Sequence, residues 1–403
     1  MKVLVVNAGS SSLKYQLFDT VSSDVLAKGI CERIGIDGAI THKVPGREVY
    51  SADIKMENHT VATQILVETL CSPTLGVLKS MDEIEAVGHR IVHGGAYLKE
   101  SVLVDDEVLK KLEGCLDLAP LHTAAHLMGI HGCIEAMPGK PQVLVIDTAF
   151  HSTMPPEAYT YALPKDMCEK YHIRRYGFHG TSHRYVSGEM IKILGKPAED
   201  TKIVTCHLGN GSSISAVKGG KVIDTSMGFT PLDGFIMGSR CGAIDPAIVP
   251  FVMEKENMTP DQMNNFMNKN CGLLGVSGGL SSDCRNLGEA VEAGNADAKL
   301  AIDILCYQIK KYVGAYAAAM NGIDALVFTA GIGENRDEIR SAACKNMDYL
   351  GLKLDEEINA KTKLQGDNVC ISTPDSKVKV YVIPTNEELV IARDTEMIVS
   401  GKR

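Results

Sequence analysis

Residues 5–15 read VVNAGSSSLKY, and they place one glycine and three serines directly behind the apolar run that opens the chain. In LKYQLF, residues 13–18, apolar and polar side chains then alternate, which is the period of a β-strand. A Walker-type loop must be followed by a helix and has the spacing G-x-x-x-x-G-K-[ST], and both are missing here. The stretch therefore predicts a β-hairpin with a tip rich in glycine and serine.

The other half of the chain carries a similar stretch. Residues 207–213 read HLGNGSS, follow an apolar run, and lead into ISAV and a KGGK turn. Backbone N–H groups at such tips form donor sites for phosphate oxygens, and Lys14 adds a positive charge beside the first tip. The repetition predicts two hairpin tips, one per half, that face a shared cleft. Two unrelated turns are the alternative.

Composition excludes several classes of protein. The 403 residues suit two or three domains, and 45% hydrophobic with 23% charged residues is typical of a globular enzyme. The net charge of −9, without a long basic run, argues against a nucleic-acid partner. No apolar stretch approaches the ~20 residues of a membrane helix, and the N-terminal apolar run is too short for a signal peptide. We therefore expect a cytoplasmic protein.

The twelve cysteines are scattered, and the closest pair, Cys271 and Cys284, lacks zinc-ligand spacing. They are interpreted as reduced core residues in a reducing compartment.

Strand-like and helix-like segments alternate along the chain, which favours an α/β fold. Strands are predicted at 2–6, 143–146, 202–206, 325–329 and 379–383, and helices at 182–194 and 297–319.

Prolines mark the candidate domain boundaries. Two prolines lie in HSTMPPEAY, residues 151–159, and Pro384 precedes a capping-box pattern from Thr385 to Glu388 that opens a last helix. These positions divide the chain into 1–150 plus 386–403 and 151–385.

Two arginines stand in glycine-rich, largely apolar surroundings. Arg90 lies in GHRIVHGG and Arg240 in FIMGSRCGAIDP. An unpaired arginine is costly there, so each either pairs with a carboxylate of the protein or waits for an anionic ligand. The residues alone leave both alternatives open.

Asp147 ends the apolar run VLVI, where a carboxylate can bind a metal, position a nucleophile or cap a turn. His179 and His183 have the four-residue spacing of a zinc pair, but Gly180 replaces the glutamate of HExxH. If Thr181 or Ser182 caps the next helix, His179 lies just before its N-terminus, where it can stabilise an anion or serve only in packing.

The segment VFTAGIGEN, residues 327–335, runs from a strand through two glycines to a helix-like stretch that begins at Asn335. Nucleotides bind at such turns in α/β proteins, although an isolated GxG is also an ordinary turn.

Together, these motifs resemble the acetate kinase family of the acetate and sugar kinase/Hsp70/actin superfamily. The motifs are NAGSSSLKY, GHRIVHGG, DTAFH, YGFHGTSH, HLGNGSS, MGFTPLDGFIMGSRCGAIDP, FTAGIGEN and IPTNEE. The likeness extends from residue 2 to about 395. It implies a duplicated actin-like (ribonuclease H-like) two-domain α/β fold with the active site in the interdomain cleft. The second domain, 151–385, would bind nucleotide and form a homodimer.

The implied activity is reversible transfer of the γ-phosphoryl group of ATP to acetate, which gives acetyl phosphate and ADP. The family uses Mg²⁺, with Mn²⁺ as a possible substitute. The resemblance also implies the roles of individual residues. Catalytic roles fall to Arg90, Asp147, His179 and Arg240. Acetate binding falls to Arg90, Val92, Leu121, Phe178 and Pro231, and metal binding to Asn7 and Glu387. Nucleotide binding falls to Lys14, His207, Leu208, Gly209, Asn210, Gly211, Asp283, Cys284, Arg285, Gly331, Ile332, Gly333, Glu334 and Asn335.

One segment departs from the family pattern. After LAPLH the family often continues with Asn-Pro, whereas residues 123–126 here read TAAH, which affects the expected acyl selectivity. A propionate or butyrate kinase is therefore one alternative. An actin-like module that uses nucleotide to bind partners is another, although it has no use for two glycine-flanked arginines and an apolar pocket.

Overall fold

The computed structural model describes residues 1–362 and 366–402. The strands, in chain order, are β1 Lys2–Ala8, β2 Ser12–Asp19, β3 Asp24–Glu32, β4 Ala39–Lys43, β5 Tyr50–Asp53, β6 Ala86–Ile91, β7 Val102–Leu103, β8 Gln142–Ile146, β9 Lys202–Leu208, β10 Ser212–Lys218, β11 Lys221–Thr225, β12 Ala325–Thr329, β13 Val369–Cys370 and β14 Lys379–Val382.

The helices are α1 His59–Cys71, α2 Asp106–Glu113, α3 Pro120–Ala136, α4 Pro156–Tyr159, α5 Lys165–Lys170, α6 Gly180–Leu194, α7 Ile248–Glu256, α8 Pro260–Lys269, α9 Gly272–Val276, α10 Cys284–Glu292, α11 Ala296–Met320, α12 Ala330–Asn335, α13 Asp337–Cys344, α14 Glu356–Lys361 and α15 Glu387–Val399. Within the described residues, no helix has both the length and the apolar character needed to cross a membrane.

The chain divides into two compact units. The first unit comprises Met1–Phe150 and Asn386–Arg403, and the second comprises His151–Thr385. The sheet of the first unit has the order β5-β4-β3-β2-β1-β6-β8-β7, and that of the second has the order β11-β10-β9-β12-β14-β13.

The two sheets share a five-stranded pattern. In the first unit, β1 pairs antiparallel with β2, β2 pairs antiparallel with β3, and β1, β6 and β8 run parallel. In the second unit, β9, β10 and β11 form the same antiparallel meander, and β9, β12 and β14 run parallel. The predicted duplicated actin-like fold is therefore confirmed.

Both glycine- and serine-rich stretches form the predicted hairpins. Asn7 pairs with Lys14 across β1 and β2, and His207 pairs with Ser213 across β9 and β10. The alternation that predicted the first hairpin reflects burial, because Tyr15 is only 2% exposed whereas Lys14 points to solvent. The hydrophobic effect thus fixes the register of this strand.

The C-terminal helix α15 returns to the first unit and packs on its sheet. A methyl group on Gly88 of β6 would lie 2.4 Å from Thr395 Oγ1 and 2.8 Å from Ile391 Cγ2. Only a residue without a side chain allows this close approach. The first glycine of GHRIVHGG therefore serves helix–sheet packing.

Several helix boundaries differ from the predictions. Helix α6 begins at Gly180 rather than Ser182, so neither Thr181 nor Ser182 caps it, although Gly195 ends it as predicted. Helix α12 begins at Ala330 and runs through the glycines of FTAGIGEN instead of starting after them. The last helix is capped by Asn386, whose side chain accepts from the Leu389 N–H, and not by Thr385. All twelve cysteines are free thiols, but only seven of them are buried, so the interpretation as core residues is wrong for the half-buried Cys71, Cys168, Cys241, Cys271 and Cys370.

Candidate functional site

In the first unit, predicted site residues gather at the carboxyl ends of three neighbouring parallel strands. Asn7 lies near the end of β1, Arg90 near the end of β6, and Asp147 directly after β8. Because β6 and β8 pair with Arg90 opposite Val145, Asp147 comes to lie next to the arginine. In α/β folds, this edge of the sheet is the usual position of ligand sites.

Arg90 is bound by carboxylates of its own unit. Its Nη2 donates to Asp147 Oδ2 at 2.8 Å, and its Nε lies 3.7 Å from Glu387 Oε2. Asp147 is buried, and its charge is the main cause that raises the pKa of Arg90. The sequence left a protein carboxylate and an external anion open for this residue, and the structure shows the former. In the described residues, Arg90 Nε is buried beside Glu387 without a hydrogen bond, but the side chain is 22% exposed, so the N–H groups that Asp147 does not use are available to a ligand.

Negative charge exceeds positive charge around Arg90. Burial raises the pKa of Glu387 to about 7, Arg90 opposes this, and the carboxylates of Asp147 and Glu388 add to it. Carboxylate oxygens that compete for one arginine suit a hard cation such as Mg²⁺. Among the described residues, no group of three or more His, Cys, Asp and Glu side chains could hold a metal. Mg²⁺ commonly uses only one or two carboxylates and takes its other ligands from phosphates and water, so the residues present fit this ion.

Asn7 and Lys14 line a cavity of about 260 Å³ in the first unit, together with Glu388. Lys28 and Lys43, from β3 and β4, lie along the same cavity. The first hairpin therefore presents an amide and a lysine next to the start of α15. That helix carries Glu387 as its first residue.

Two predicted acyl-binding residues lie in the first unit. Val92 follows β6, and its N–H donates to His126 Nε2 at 3.2 Å. Leu121, at the start of α3, is 80% exposed. His126 belongs to the departing segment 123–126, and burial lowers its pKa to about 4. The departure therefore acts on the backbone of Val92, although the sequence gave no sign of this contact.

In the second unit, three separate segments line one cavity of about 640 Å³. The predicted nucleotide residues in its wall are Gly209, Asn210, Asp283, Cys284, Arg285, Gly331, Ile332 and Asn335. The sequence placed them in three motifs more than 40 residues apart, and the fold brings them together. His207 and Leu208 are buried in β9, and Gly333 is buried in α12.

Two of the predicted nucleotide residues have structural partners. Glu334 Oε1 accepts from the backbone N–H of Ala330 at 2.9 Å and of Thr385 at 3.2 Å. Asp283 caps α10 by accepting from the Arg285 N–H at 2.7 Å, and it pairs with the Arg285 guanidinium at 2.8 Å. Both residues therefore hold the cavity wall in place.

The sequence missed two residues of this wall, Ser282 and Arg336. Arg336 pairs with Glu338, yet its Nε is buried without a hydrogen bond among the described residues. Its position directly after GIGEN was the signal that could have found it. A buried donor in the wall of a nucleotide-sized cavity makes Arg336 a candidate ligand contact.

A glycine, Gly238, packs directly against Asn210 at the second hairpin tip. A methyl group on Gly238 would lie 1.8 Å from Asn210 Oδ1, and the Gly238 N–H donates to the Asn210 carbonyl at 3.0 Å. The absence of a side chain at 238 therefore allows Asn210 to hold its place in the cavity wall.

Arg240 and His179 converge on the same tip. A methyl group on Gly211 would lie 3.2 Å from Arg240 Nη1 and 3.8 Å from His179 Nε2. Arg240 donates only weakly, to the Pro231 carbonyl at 3.3 Å and to Met237 Sδ at 3.8 Å. It has no carboxylate partner in the described part of the chain, and burial lowers its pKa. Of the two alternatives for this arginine, the structure leaves an external anion.

His179 is held at the N-terminal end of α6 in a left-handed conformation, with φ 57° and ψ 29°. Histidine adopts this region more readily than most residues, although at some cost in strain. Its ring stacks on His207 with centroids 4.1 Å apart. Phe178, directly before it, is buried, and the Pro231 carbonyl holds Arg240. Both predicted acyl-binding residues of the second unit thus adjoin His179 and Arg240.

Comparisons with known proteins show which family the chain belongs to. A sequence model described as the Acetokinase family matches residues 2–393. An acetate kinase of Methanosarcina barkeri is 56% identical over 400 residues, which cover 99% of this chain and 97% of the relative. One from Thermoanaerobacter pseudethanolicus is 55% identical over 403 residues, with both chains fully covered.

Solved structures give the same result. The acetate kinase of Porphyromonas gingivalis superimposes with a TM-score of 0.95 at 47% identity and covers 99% of both chains. A propionate kinase of Francisella tularensis superimposes with a TM-score of 0.89 at 39% identity and covers 98% of this chain and 99% of the other. On the whole-chain match, the chain belongs to the acetokinase family.

Proposed function

We propose that this protein catalyses reversible, Mg²⁺-dependent transfer of the γ-phosphoryl group of ATP to acetate, which gives acetyl phosphate and ADP. Transfer is direct and in line, without a phosphorylated enzyme. The relatives named acetate kinase over the whole chain support this reaction.

The observation that carries the proposal is the state of Arg240. This half-buried guanidinium has no carboxylate partner in the described residues and adjoins the Gly211 tip, beside a nucleotide-sized cavity. A cation in that position requires an anion from outside the protein. The transferring phosphoryl group supplies it, because its charge spreads over three equatorial oxygens.

Arg90 binds the carboxylate of acetate. The guanidinium N–H groups that Asp147 does not use provide the donors, and Asp147 and Glu387 fix the orientation of the guanidinium. The residues proposed for apolar contact with the methyl group are Val92 and Leu121 of the first unit and Phe178 and Pro231 of the second. Acetate has little surface to bury, so one arginine and a small apolar wall provide most of its affinity.

Arg240 and His179 stabilise the phosphoryl group during transfer. Both act where charge develops, at fixed positions and with limited access to water, and in that setting electrostatic stabilisation is strongest. Acetate has no proton to lose at neutral pH, so Asp147 is not a general base on the substrate. Its hydrogen bond to Arg90 supports a role in orienting the arginine.

Asn7 and Glu387 would hold the Mg²⁺, and Asp147 would bind the ion or its water ligands in addition to orienting the arginine. When bound, Mg²⁺ reduces the repulsion between phosphate oxygens and the acetate carboxylate. Lys14 and residues 207–211 contact the phosphates, whereas 283–285 and 331–335 bind the nucleotide towards its adenosine end. The common cavity that these last segments line supports their joint role.

The protein is a homodimer joined through its second unit. Helix α7 buries none of its residues, and Ile244, Ile248 and Phe251 are 36%, 44% and 59% exposed. Covering these side chains with a second copy would remove apolar surface from water. Sedimentation equilibrium of wild type and Phe251→Asp tests this, with a monomeric variant expected and a wild-type monomer as the contrary result. Twelve free thiols support a cytoplasmic location.

The reaction is tested with ATP, acetate, Mg²⁺ and hydroxylamine, because acetyl hydroxamate forms only if acetyl phosphate is made. We expect hydroxamate in proportion to the ADP produced. ADP without hydroxamate would instead indicate an actin-like ATPase module. A γ-phosphorus centre of known chirality distinguishes the routes, since inversion supports a single transfer and retention supports a phosphorylated enzyme.

Propionate is the second candidate substrate, because a propionate kinase shares the fold at 39% identity. One methylene in a hydrophobic pocket changes binding by about 1–3 kcal/mol. Competition between acetate and propionate, measured as kcat/KM, therefore decides between them. We expect acetate to be preferred.

A further inference from the structure

Behind His179 runs a chain of buried hydrogen bonds that the proposed reaction does not explain. His179 Nδ1 lies 2.9 Å from Ser213 Oγ, and Ser213 Oγ lies 2.7 Å from His183 Nε2. On its other side, His183 Nδ1 lies 2.7 Å from Thr205 Oγ1. Ser213, His183 and Thr205 are all fully buried. The chain links His179 to the centre of the second sheet.

The direction of these bonds follows from counting protons. A hydroxyl group has one hydrogen to donate, and a neutral imidazole has one donor and one acceptor nitrogen. If the Thr205 hydroxyl donates its one hydrogen to the Ser215 carbonyl, a long contact of 3.4 Å, it accepts from His183 Nδ1–H at 2.7 Å. The acceptor nitrogen of His183 is then Nε2, and Ser213 donates to it. Ser213 in turn accepts from His179 Nδ1–H.

We propose that Ser213, His183 and Thr205 are positioning residues that fix the tautomer of His179, with its proton on Nδ1 and its Nε2 towards the Gly211 tip. The proposal rests on the proposed role of His179 in phosphoryl transfer. The reverse direction of the chain would place the His179 proton on Nε2, but it would remove the hydrogen bond from Thr205 to the Ser215 carbonyl. In this proposal, the Ser215 carbonyl at the inner end sets the direction of the hydrogen bonds from Thr205 to His179.

This tautomer has a chemical consequence. With its Nδ1–H donated to Ser213, a neutral His179 has only a lone pair at Nε2, which repels phosphoryl oxygens. His179 becomes a donor at Nε2 only when its ring is cationic, and in that form Nδ1 still donates to Ser213. The chain therefore selects the imidazolium as the form that stabilises the transferring group, together with Arg240.

The neighbouring histidines support a single cationic ring. Thr385 donates to Ser182 Oγ at 2.8 Å, which leaves the Ser182 hydrogen available to His207 Nδ1 at 2.7 Å. With Ser182 as the donor, His207 Nδ1 carries no proton, so the ring stacked on His179 is neutral and two cations are not stacked on each other. Burial lowers the pKa of His183 well below its usual value, so this ring stays neutral as well.

The test is nuclear magnetic resonance on the full-length protein labelled with ¹⁵N-histidine, with His179 and His183 assigned through single histidine-to-glutamine variants. Long-range ¹H–¹⁵N correlations distinguish the two neutral tautomers. We expect His183 to carry its proton on Nδ1. A proton on His183 Nε2 would overturn the proposal, whether or not the protein makes acetyl phosphate. Conversely, the expected tautomer in a protein without kinase activity would contradict only the proposed function.

Thr205→Val removes the acceptor while it preserves the shape of the side chain. We expect the His183 proton to move to Nε2 and kcat to fall about 10-fold, as for other partners that orient an active-site histidine. KM for acetate and ATP should stay within about twofold, because binding contacts are unchanged. Thr205→Ser keeps the hydroxyl and should restore both readouts.

Thr225→Val is the matched control. Thr225 on β11 is as buried as Thr205, and it hydrogen-bonds Ser215 Oγ, which is not part of the hydrogen-bonded series from His179 to Thr205. It should leave the His183 tautomer unchanged. Ser213→Ala is a second test, which does not require the Thr205→Val protein to fold. Its expected effect is a mixture of the two neutral His179 tautomers. Unchanged tautomers in both Thr205→Val and Ser213→Ala would refute the proposal.

Discussion

Arg90 and Arg240 occupy opposite electrostatic situations, although both lie in glycine-rich motifs. Arg90 lies next to the carboxylates of Asp147 and Glu387, whereas the partners of Arg240 in the described residues are a carbonyl and a thioether. The first unit thus combines a cation with an excess of negative charge, and the second has a positive charge that no carboxylate of the described residues balances.

From this difference we infer that the two arginines have different roles in the reaction. An arginine held by carboxylates is oriented before the substrate arrives, and the remaining negative charge suits a metal ion. For an arginine without a counter-ion, the free-energy cost of removing the charge from water is not compensated until an anion binds. We infer that Arg90 positions acetate and that Arg240 responds to the charge of the phosphoryl group.

Arg240→Ala tests the second half of the comparison and should have the largest effect. We expect kcat to fall on the order of 10³-fold or more, as for other arginines that stabilise phosphoryl transfer. The free energy of unfolding should change little, because no carboxylate loses its partner. Hydroxamate assays and urea unfolding measure the two effects. Near-normal turnover would refute the mechanism.

Arg90→Ala tests the role of the arginine that is paired with carboxylates. Unlike Arg240→Ala, it should reduce stability as well as activity. Activity should again fall on the order of 10³-fold, but here the protein also loses about 3–5 kcal/mol of stability, because buried Asp147 is left without its counter-ion. Asp147→Asn combined with Arg90→Ala should recover part of the stability without the activity. If the Arg90→Ala and Arg240→Ala proteins have the same free energy of unfolding, the proposed electrostatic difference between the two arginines is wrong.

Gly238→Ala tests whether the tip beside Arg240 must hold its position. The new methyl group would lie 1.8 Å from Asn210 Oδ1 and must displace it. We expect kcat/KM for ATP to fall up to about 10²-fold, the cost of a misplacement of about 1 Å. Gly188→Ala is the control, since no atom lies within 4 Å of its added methyl group. An unaffected Gly238→Ala protein would show that Asn210 needs no fixed place.

Ala330→Gly should have the smallest effect. Ala330 has φ 64°, a left-handed conformation that glycine adopts without strain. We expect the free energy of unfolding to stay constant or rise by up to about 1 kcal/mol. Ala342→Gly, within α13, should instead lose about 0.5–1 kcal/mol. Urea unfolding compares them, and equal losses would show that the strain at Ala330 is not relieved.

The sequence predicted the parts of the fold that depend on burial patterns. Alternation in LKYQLF identified the first hairpin, because one face of β2 is buried and the other is not. Helix starts were predicted less well. Helix α6 begins after a histidine with positive φ, and no sequence pattern reveals that a non-glycine residue adopts this conformation.

The site was predicted as a set of residues but not as a set of partners. Arg90 pairs with Asp147, which lies 57 residues away in the sequence, because β6 and β8 are neighbours in the sheet. The motifs do not reveal this strand pairing. The contact between His126 and Val92 depends in the same way on tertiary packing. The resemblance named the residues, and the structure distinguishes the paired arginine from the unpaired one.

The most direct test is a crystal structure of the protein with ADP, Mg²⁺, acetate and aluminium fluoride as a mimic of the transferring phosphoryl group. We predict that Arg240 leaves the Pro231 carbonyl and lies about 3 Å from the equatorial fluorides, while Arg90 keeps Asp147 and binds the acetate carboxylate. If Arg240 stays on the Pro231 carbonyl with the mimic bound, or if acetate binds without Arg90, the account is contradicted.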